Sequence, residues 1–207
     1  MKGLFITFEG CEGVGKSRQI KLLEEYLKEH NVPYFLTREP GGTSVSEQIR
    51  NVILDGKNTE MTDECEALLY AASRVQLLKE VIKPKLDEGI LVICDRYVDS
   101  SLAYQGYARG LGTEFIERIN SYALKNFTPD YTVFLDLDPE RAFKRKGGAD
   151  GKDRLEQSGL SFHKKVYEGY KTLAKENPER IIVIDASGEK AETHALILAA
   201  LKEKGVL

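Results

Sequence analysis

Apolar residues fall into two kinds of run along this chain. Residues 4–8 (LFITF), 90–95 (ILVICD), 131–137 (YTVFLDL) and 180–185 (RIIVID) are short and nearly unbroken, lacking the alternation of a strand with one wet face. Such runs predict strands covered on both sides. A weaker run, 33–38 (PYFLTR), is a fifth. Between them apolar residues recur at helical spacing: Ile20, Leu22, Leu23 and Leu27 after Lys16, ending near Asn31 and Pro33, and later Leu68, Leu69, Ala72, Val75 and Leu78. Ser44-x-x-Glu47 and Asp63-x-x-Glu66 have the spacing of capping boxes that open helices, the second helix bending at Pro84 and ending at Gly89. Further helices are expected over 113–126, 139–146, 160–176 and 190–204. Strands alternating with helices predict right-handed crossovers, and so an α/β fold: a parallel sheet with helices on both faces.

A length of 207 residues suits one domain spanning 1–207. A net charge of −3 offers no basic field for a nucleic acid polymer. Cys11, Cys65 and Cys94 are odd in number and form no C-x-x-C pair, which argues against a disulfide framework or zinc site and fits a reducing cytoplasm. The apolar start is too short for a signal peptide and is interrupted by Glu9; no run approaches the roughly 18 residues of a membrane span. Residues 146–152 (KGGADGK) are glycine-rich, lie between helical segments and read as a mobile loop.

The chemistry begins at Gly10-Cys11-Glu12-Gly13-Val14-Gly15-Lys16-Ser17, a full G-x-x-x-x-G-K-[ST] match between an expected strand and an expected helix. The glycines allow successive N–H groups to turn toward an anion, and the helix start adds its dipole. Lys16 then reaches the β- and γ-phosphates of a nucleoside triphosphate, and Ser17 coordinates Mg²⁺. Glu12 is the odd residue: a carboxylate facing a triphosphate would be repelled, so it should point at a hydroxyl, a cation or solvent. Cys11 reads as a small loop filler. At the end of the third strand, Asp95 is placed to approach Mg²⁺ and Arg96 offers a fork for a second phosphate, although a surface ion pair fits these two residues equally well. In the segment 37–50 (TREPGGTSVSEQIR), Arg38, Glu39 and Arg50 are read either as lining a polar pocket or as a solvated face. Tyr70 and Arg74 sit four apart on one helix face; they suit stacking and edge recognition of a nucleobase, and also suit core packing and a surface charge.

Taken in order, FITFEG, EGVGKS, TREPGGT, LLYAASR, CDRYVDSSLAYQG, PDYTVFLDLDPE, KDRLEQ and VYEGY resemble the thymidylate kinases, P-loop nucleoside monophosphate kinases, over nearly the whole length. The resemblance implies a three-layer P-loop NTPase fold with a five-stranded parallel sheet of order 2-3-1-4-5. It implies Mg-dependent transfer of the γ-phosphoryl group of ATP to dTMP, on the way to dTTP, in a cytoplasmic homodimer without nucleic acid or membrane partners. It assigns Arg96 to the dTMP phosphate, supported by Glu39 and Arg50. Tyr70 stacks on thymine and Arg74 reaches the base edge. Ser100, Ser101, Tyr104 and Gln105 line the base and sugar pocket, with Tyr104 disfavouring a ribose 2′-hydroxyl, and Glu12 accepts from the 3′-hydroxyl.

Some relatives carry an arginine in the phosphate loop; this chain has Glu12-Gly13-Val14 there and is expected to supply cations from a flexible lid at about 145–156, with Arg145, Lys146, Lys152 and Arg154, the last foremost. Arg18 stands where the family has a small hydroxyl residue, and Ser101 replaces an amide of some relatives. The acceptor is a phosphate oxygen, anionic at neutral pH, so no strong base is needed and positioning carries catalysis. The alternatives are a deoxynucleoside kinase, for which thymidine would be the acceptor, a GTPase-like switch, for which no N-K-x-D signature is found, and a nucleotide-binding structural protein, which leaves Arg74, Arg96 and Arg154 unexplained.

Overall fold

In the computed structural model, which describes residues 3–146 and 158–207, the apolar runs become five parallel strands. They are β1 (Phe5–Glu9), β2 (Tyr34–Arg38), β3 (Leu91–Asp95), β4 (Tyr131–Asp136) and β5 (Ile181–Asp185). Their order is β2-β3-β1-β4-β5, as the resemblance implied. β1 is central and every residue of it is buried; it pairs with β3 on one side (Phe8 opposite Asp95) and β4 on the other.

Helices α1 (Lys16–Glu29), α2 (Ser44–Leu54), α3 (Asp63–Leu77), α4 (Lys83–Asp87), α5 (Val98–Ser101), α6 (Thr113–Ile119), α7 (Ser121–Asn126), α8 (Pro139–Lys146) and α9 (Gly159–Glu176) fill the crossovers, and α10 (Lys190–Glu203) follows β5. One cluster of buried side chains runs through the molecule, with Phe5, Ile6, Phe8, Ile93, Phe134 and Leu135 from the sheet and Leu23, Leu27, Leu77, Val166 and Ile197 from the helices. This is what unbroken apolar strands require, since both faces must leave water.

Three local readings shift. α2 is capped by Thr43, whose hydroxyl accepts from Ser46 N, and not by Ser44; Glu47 turns back to the Gly42 N–H and to Arg38. α3 is capped likewise by Thr62, which turns Glu66 inward to a fully buried position. The helix expected over 113–126 breaks at Asn120, whose backbone N–H and side-chain amide both donate to Ile116 O. Before Pro84 the chain widens into a π-helical turn, Leu78–Ile82, where proline has no N–H to offer the preceding turn. A second such stretch, Leu102–Ala108, follows α5 and packs along α9.

The parallel topology gathers strand ends at one rim: Glu9, Arg38, Asp95, Asp136 and Asp185 all close their strands there. Ligands of open α/β sheets lie at this rim.

Candidate active site

The loop from β1 to α1 turns through left-handed backbone at Gly13 (φ 77°) and at Gly15 (φ 96°), the residue that caps α1. At Gly13 a Cβ would stand 2.7 Å from Ala142 O, so both conformation and space demand glycine. The loop walls a cleft with Lys16, Ser17, Gln19, Lys190 and Thr193. Cys11 is buried, and burial pushes its thiol up to about 12, which leaves it a packing residue and no nucleophile. Arg18 is exposed on the rim of the same cleft.

Lys16 is 8% exposed, with Nζ 3.6 Å from Asp95 Oδ1. That buried oxygen has no hydrogen-bond partner among the described residues. Asp95 and Ser17 border a further groove together. An orphaned carboxylate oxygen near a helix-start hydroxyl is the oxygen donor set that suits Mg²⁺ shared with phosphate and water.

Next to Asp95 the backbone turns sharply. Arg96 adopts φ 72°, which is rare for a residue with a side chain and costs about 1–2 kcal/mol. Glu9 helps hold the turn: fully buried, it accepts from Tyr97 N at 2.7 Å, Ser100 Oγ at 2.6 Å and Tyr170 Oη at 2.7 Å. Burial, aided by Asp99, pushes Glu9 up to about 7, against the opposing pull of Arg96, Ser100 and Tyr170. Asp99 in turn receives both terminal nitrogens of Arg180, at 2.6 and 2.9 Å, tying the turn to the start of β5.

So placed, the Arg96 guanidinium bonds Glu12 at 2.6 Å, with Gly10 O, Ser100 Oγ and Tyr170 Oη at 3.2–3.4 Å, and lies 5.0 Å from the Tyr104 ring centre. The carboxylate in the phosphate loop therefore faces a cation. Glu12 also lines both the loop cleft and a second cavity, and so stands in the wall between them.

The second cavity is lined by Glu12, Glu39, Arg50, Tyr70, Arg74, Arg96, Ser100, Ser101, Tyr104 and Gln105, every residue that the resemblance assigned to the acceptor, together with Pro40, Leu54 and Tyr97. Arg74 is no surface charge: it is 1% exposed and donates to Glu39 at 2.7 Å, Asn120 at 2.5 Å and Ser101 at 3.1 Å, which fixes its fork in the cavity wall. Glu39 is bonded to Arg74, because a carboxylate this deep must find a cation. Burial still dominates, pushing Glu39 up to about 7 although Arg74 pulls it down. Arg50 donates to Pro40 O at 2.9 Å.

Arg145 lines the loop cleft and donates to Ala186 O and Ser187 O, both at 2.8 Å. Most of the expected lid, with Lys152 and Arg154, lies outside the described residues, as does the side chain of Lys146. Sequence reasoning passed over Glu9, Tyr97, Asn120 and Tyr170. Asn120 carried one local signal, an amide in the middle of a helical run; the others look like ordinary strand and helix residues until the fold brings them together.

A family model described as Thymidylate kinase matches residues 8–197. The protein named Thymidylate kinase of Caldanaerobacter subterraneus subsp. tengcongensis is 49% identical over 203 residues, covering 98% of this chain and 97% of its own. Those of Clostridium novyi (51% identical, 90% and 92% covered) and Geobacillus sp. (48% identical, 99% and 98% covered) carry the same name.

Proposed function

Because the chain belongs to the thymidylate kinase family, we propose that it transfers the γ-phosphoryl group of ATP to the phosphate of dTMP, giving ADP and dTDP. One observation carries the reading: two cavities, one under the phosphate loop and one behind Arg96, meet at Glu12. An acceptor phosphate held by Arg96 then approaches the end of a triphosphate held by the loop and Lys16. The nucleophile is a phosphate oxygen of dTMP, already charged near neutral pH because its second pKa is about 6, so no side chain need remove a proton. The new bond forms from that oxygen to the γ-phosphorus as the bond to the β,γ-bridging oxygen breaks, and the negative charge leaves with ADP. What the protein contributes is alignment and positive charge.

Lys16 follows the transferring group, and Arg96 exchanges Glu12 for the acceptor phosphate. Glu12, released, accepts from the 3′-hydroxyl. Tyr70 stacks on the base, Arg74 meets its edge, and Ser100, Ser101, Tyr104 and Gln105 enclose base and sugar. Arg50 supports the phosphate end; Glu39 acts through Arg74. Ser17 and Asp95 would hold Mg²⁺, which neutralises charge between the β- and γ-phosphates when bound. Arg145 and Arg154, in a lid at about 145–156 on a single domain spanning 1–207, enter on the family resemblance alone.

We assign the chain to a homodimer in the cytoplasm. Val45 and Val52 on α2, and Leu68 and Val75 on α3, are 37–51% exposed and seven residues apart on two packed helices, a surface suited to a second copy. The three cysteines are unpaired, in keeping with a reducing compartment.

The test is ADP release from ATP across a panel of nucleoside monophosphates, with thymidine beside them. Turnover highest on dTMP and absent on thymidine supports the reading; preference for thymidine, or hydrolysis indifferent to any monophosphate, would sink it.

A further inference from the structure

Glu66 belongs to none of the site assignments above, yet it holds a residue that lines the acceptor cavity. It is fully buried on α3 and paired with Arg109, whose Nη2 is 3.2 Å from Oε2; Arg109 also reaches Asp63 at 3.3 Å and lies 4.8 Å from the Phe162 ring centre. The other oxygen, Oε1, receives Nε2 of Gln105 at 2.7 Å and Nε of Arg109 at 3.5 Å. Gln105 is itself 2% exposed and lines the cavity.

This contact decides which end of an amide a ligand meets. An amide offers a donor and an acceptor of nearly the same shape, and only its partners tell them apart. Were Gln105 reversed, its carbonyl oxygen would stand 2.7 Å from a carboxylate oxygen already engaged with an arginine, two acceptors with no hydrogen between them. The amide nitrogen is therefore committed to Glu66, and the carbonyl oxygen is the group left for the cavity. Gln105 stands one helical turn beyond Ser101, which accepts from Arg74. The wall thus offers a guanidinium donor and an amide acceptor within a turn of each other.

We propose that Glu66 is a positioning residue for base selection: by holding the Gln105 amide in one orientation it makes the cavity accept a pyrimidine whose ring nitrogen carries hydrogen. Thymine and uracil present a carbonyl oxygen beside an N–H. Cytosine presents an amino group beside a bare nitrogen, the reverse pattern, so it meets donor with donor and acceptor with acceptor. A site that pairs its polar groups with one pattern leaves them unpaired with the other, which discriminates far more than a methyl group does. The inference rests on the dTMP kinase reading and adds the residue that enforces it.

The experiment compares kcat/KM for dTMP, dUMP and dCMP in the wild type, Glu66→Gln and Gln105→Met. Glutamine at 66 has both an oxygen and an amino group to offer, so the Gln105 amide is free to reverse while Arg109 keeps an acceptor. The dTMP:dCMP ratio is expected to fall about tenfold or more in Glu66→Gln. The dUMP:dTMP ratio, which compares two bases with the same N–H, stays within about twofold. A purely structural role would lower all three substrates together and leave both ratios in place. Gln105→Met removes the amide but keeps the Glu66–Arg109 pair, and is expected to lower the dTMP:dCMP ratio likewise; an unchanged ratio in this variant overturns the proposal even if Glu66→Gln does not fold. An unchanged dTMP:dCMP ratio in folded variants overturns the role of Glu66 while leaving the kinase reading intact. No dTMP turnover by the wild type overturns both.

Discussion

Replacing Glu9 by glutamine removes a titrating carboxyl from the centre of the sheet with little change of size. The wild-type carboxyl is fully buried, and burial holds it up at about 7 against an ordinary 4.5. The raised value means that the folded protein binds a proton more tightly than the unfolded chain does. Stability from this group is therefore greatest below about pH 4.5, declines as pH rises toward 7, and levels off above, where both states are ionised. The interval from 4.5 to about 7, at 1.36 kcal/mol per pH unit, amounts to about 3 kcal/mol. Glu39, also held at about 7 mainly by burial, adds a decline of the same sign. In Glu9→Gln the amide oxygen still accepts from Tyr97 N, and the amide nitrogen faces the Ser100 and Tyr170 hydroxyls, which can turn to accept. Urea unfolding between about pH 5 and pH 8 reads the difference. The wild type should lose more stability over this range than the variant, by about 2–3 kcal/mol, with Glu39 supplying the residual slope in the variant. Equal slopes in the two proteins would show that Glu9 is already ionised at pH 5 and that the burial argument is wrong.

Three further outcomes follow from the site. Arg96→Lys replaces a fork that spans Glu12, Gly10 O, Ser100 and Tyr170 by a single point charge, so kcat/KM for dTMP should drop by about 10²–10³ while KM for ATP stays near its original value; a loss under about threefold would remove Arg96 from the phosphate. Glu12→Ala deletes the proposed 3′-hydroxyl acceptor, a charged hydrogen bond of about 1.5–3 kcal/mol, and should cost about 10–100-fold on dTMP but far less on its 3′-deoxy analogue; equal losses on both would refute that contact. Asp95→Asn weakens the cation site, and the Mg²⁺ concentration giving half-maximal rate should rise about tenfold; an unmoved half-point assigns the metal elsewhere.

How far the sequence reached depended on how local each feature is. The phosphate loop was fully legible, because every amide that would hold the phosphate comes from eight contiguous residues whose glycines set the backbone. The strands were legible to within about a residue at each end, because their unbroken apolar composition has one use in a chain of this length. Helix caps were misplaced by one residue, since Thr43 and Thr62 compete with the neighbouring Ser44 and Asp63 for the same orphan N–H groups. The acceptor residues were named from a resemblance, and their neighbours from the residues alone were ambiguous: Tyr70 and Arg74 fitted a core or a surface as well as a site.

Composition and spacing by themselves determined that this chain builds a parallel sheet with a glycine-rich loop at its rim, between the first strand and the first helix. Only the tertiary structure decided that Glu12 faces Arg96, that Arg74 is locked by Glu39 and Asn120, and that Glu9, Ser100 and Tyr170 share one buried network. The partners in these contacts lie between 35 and 161 residues apart in the chain, and no local pattern links them. They are paired because folding takes them out of water, and a buried charge must be met by whatever the sheet and its helices bring within reach.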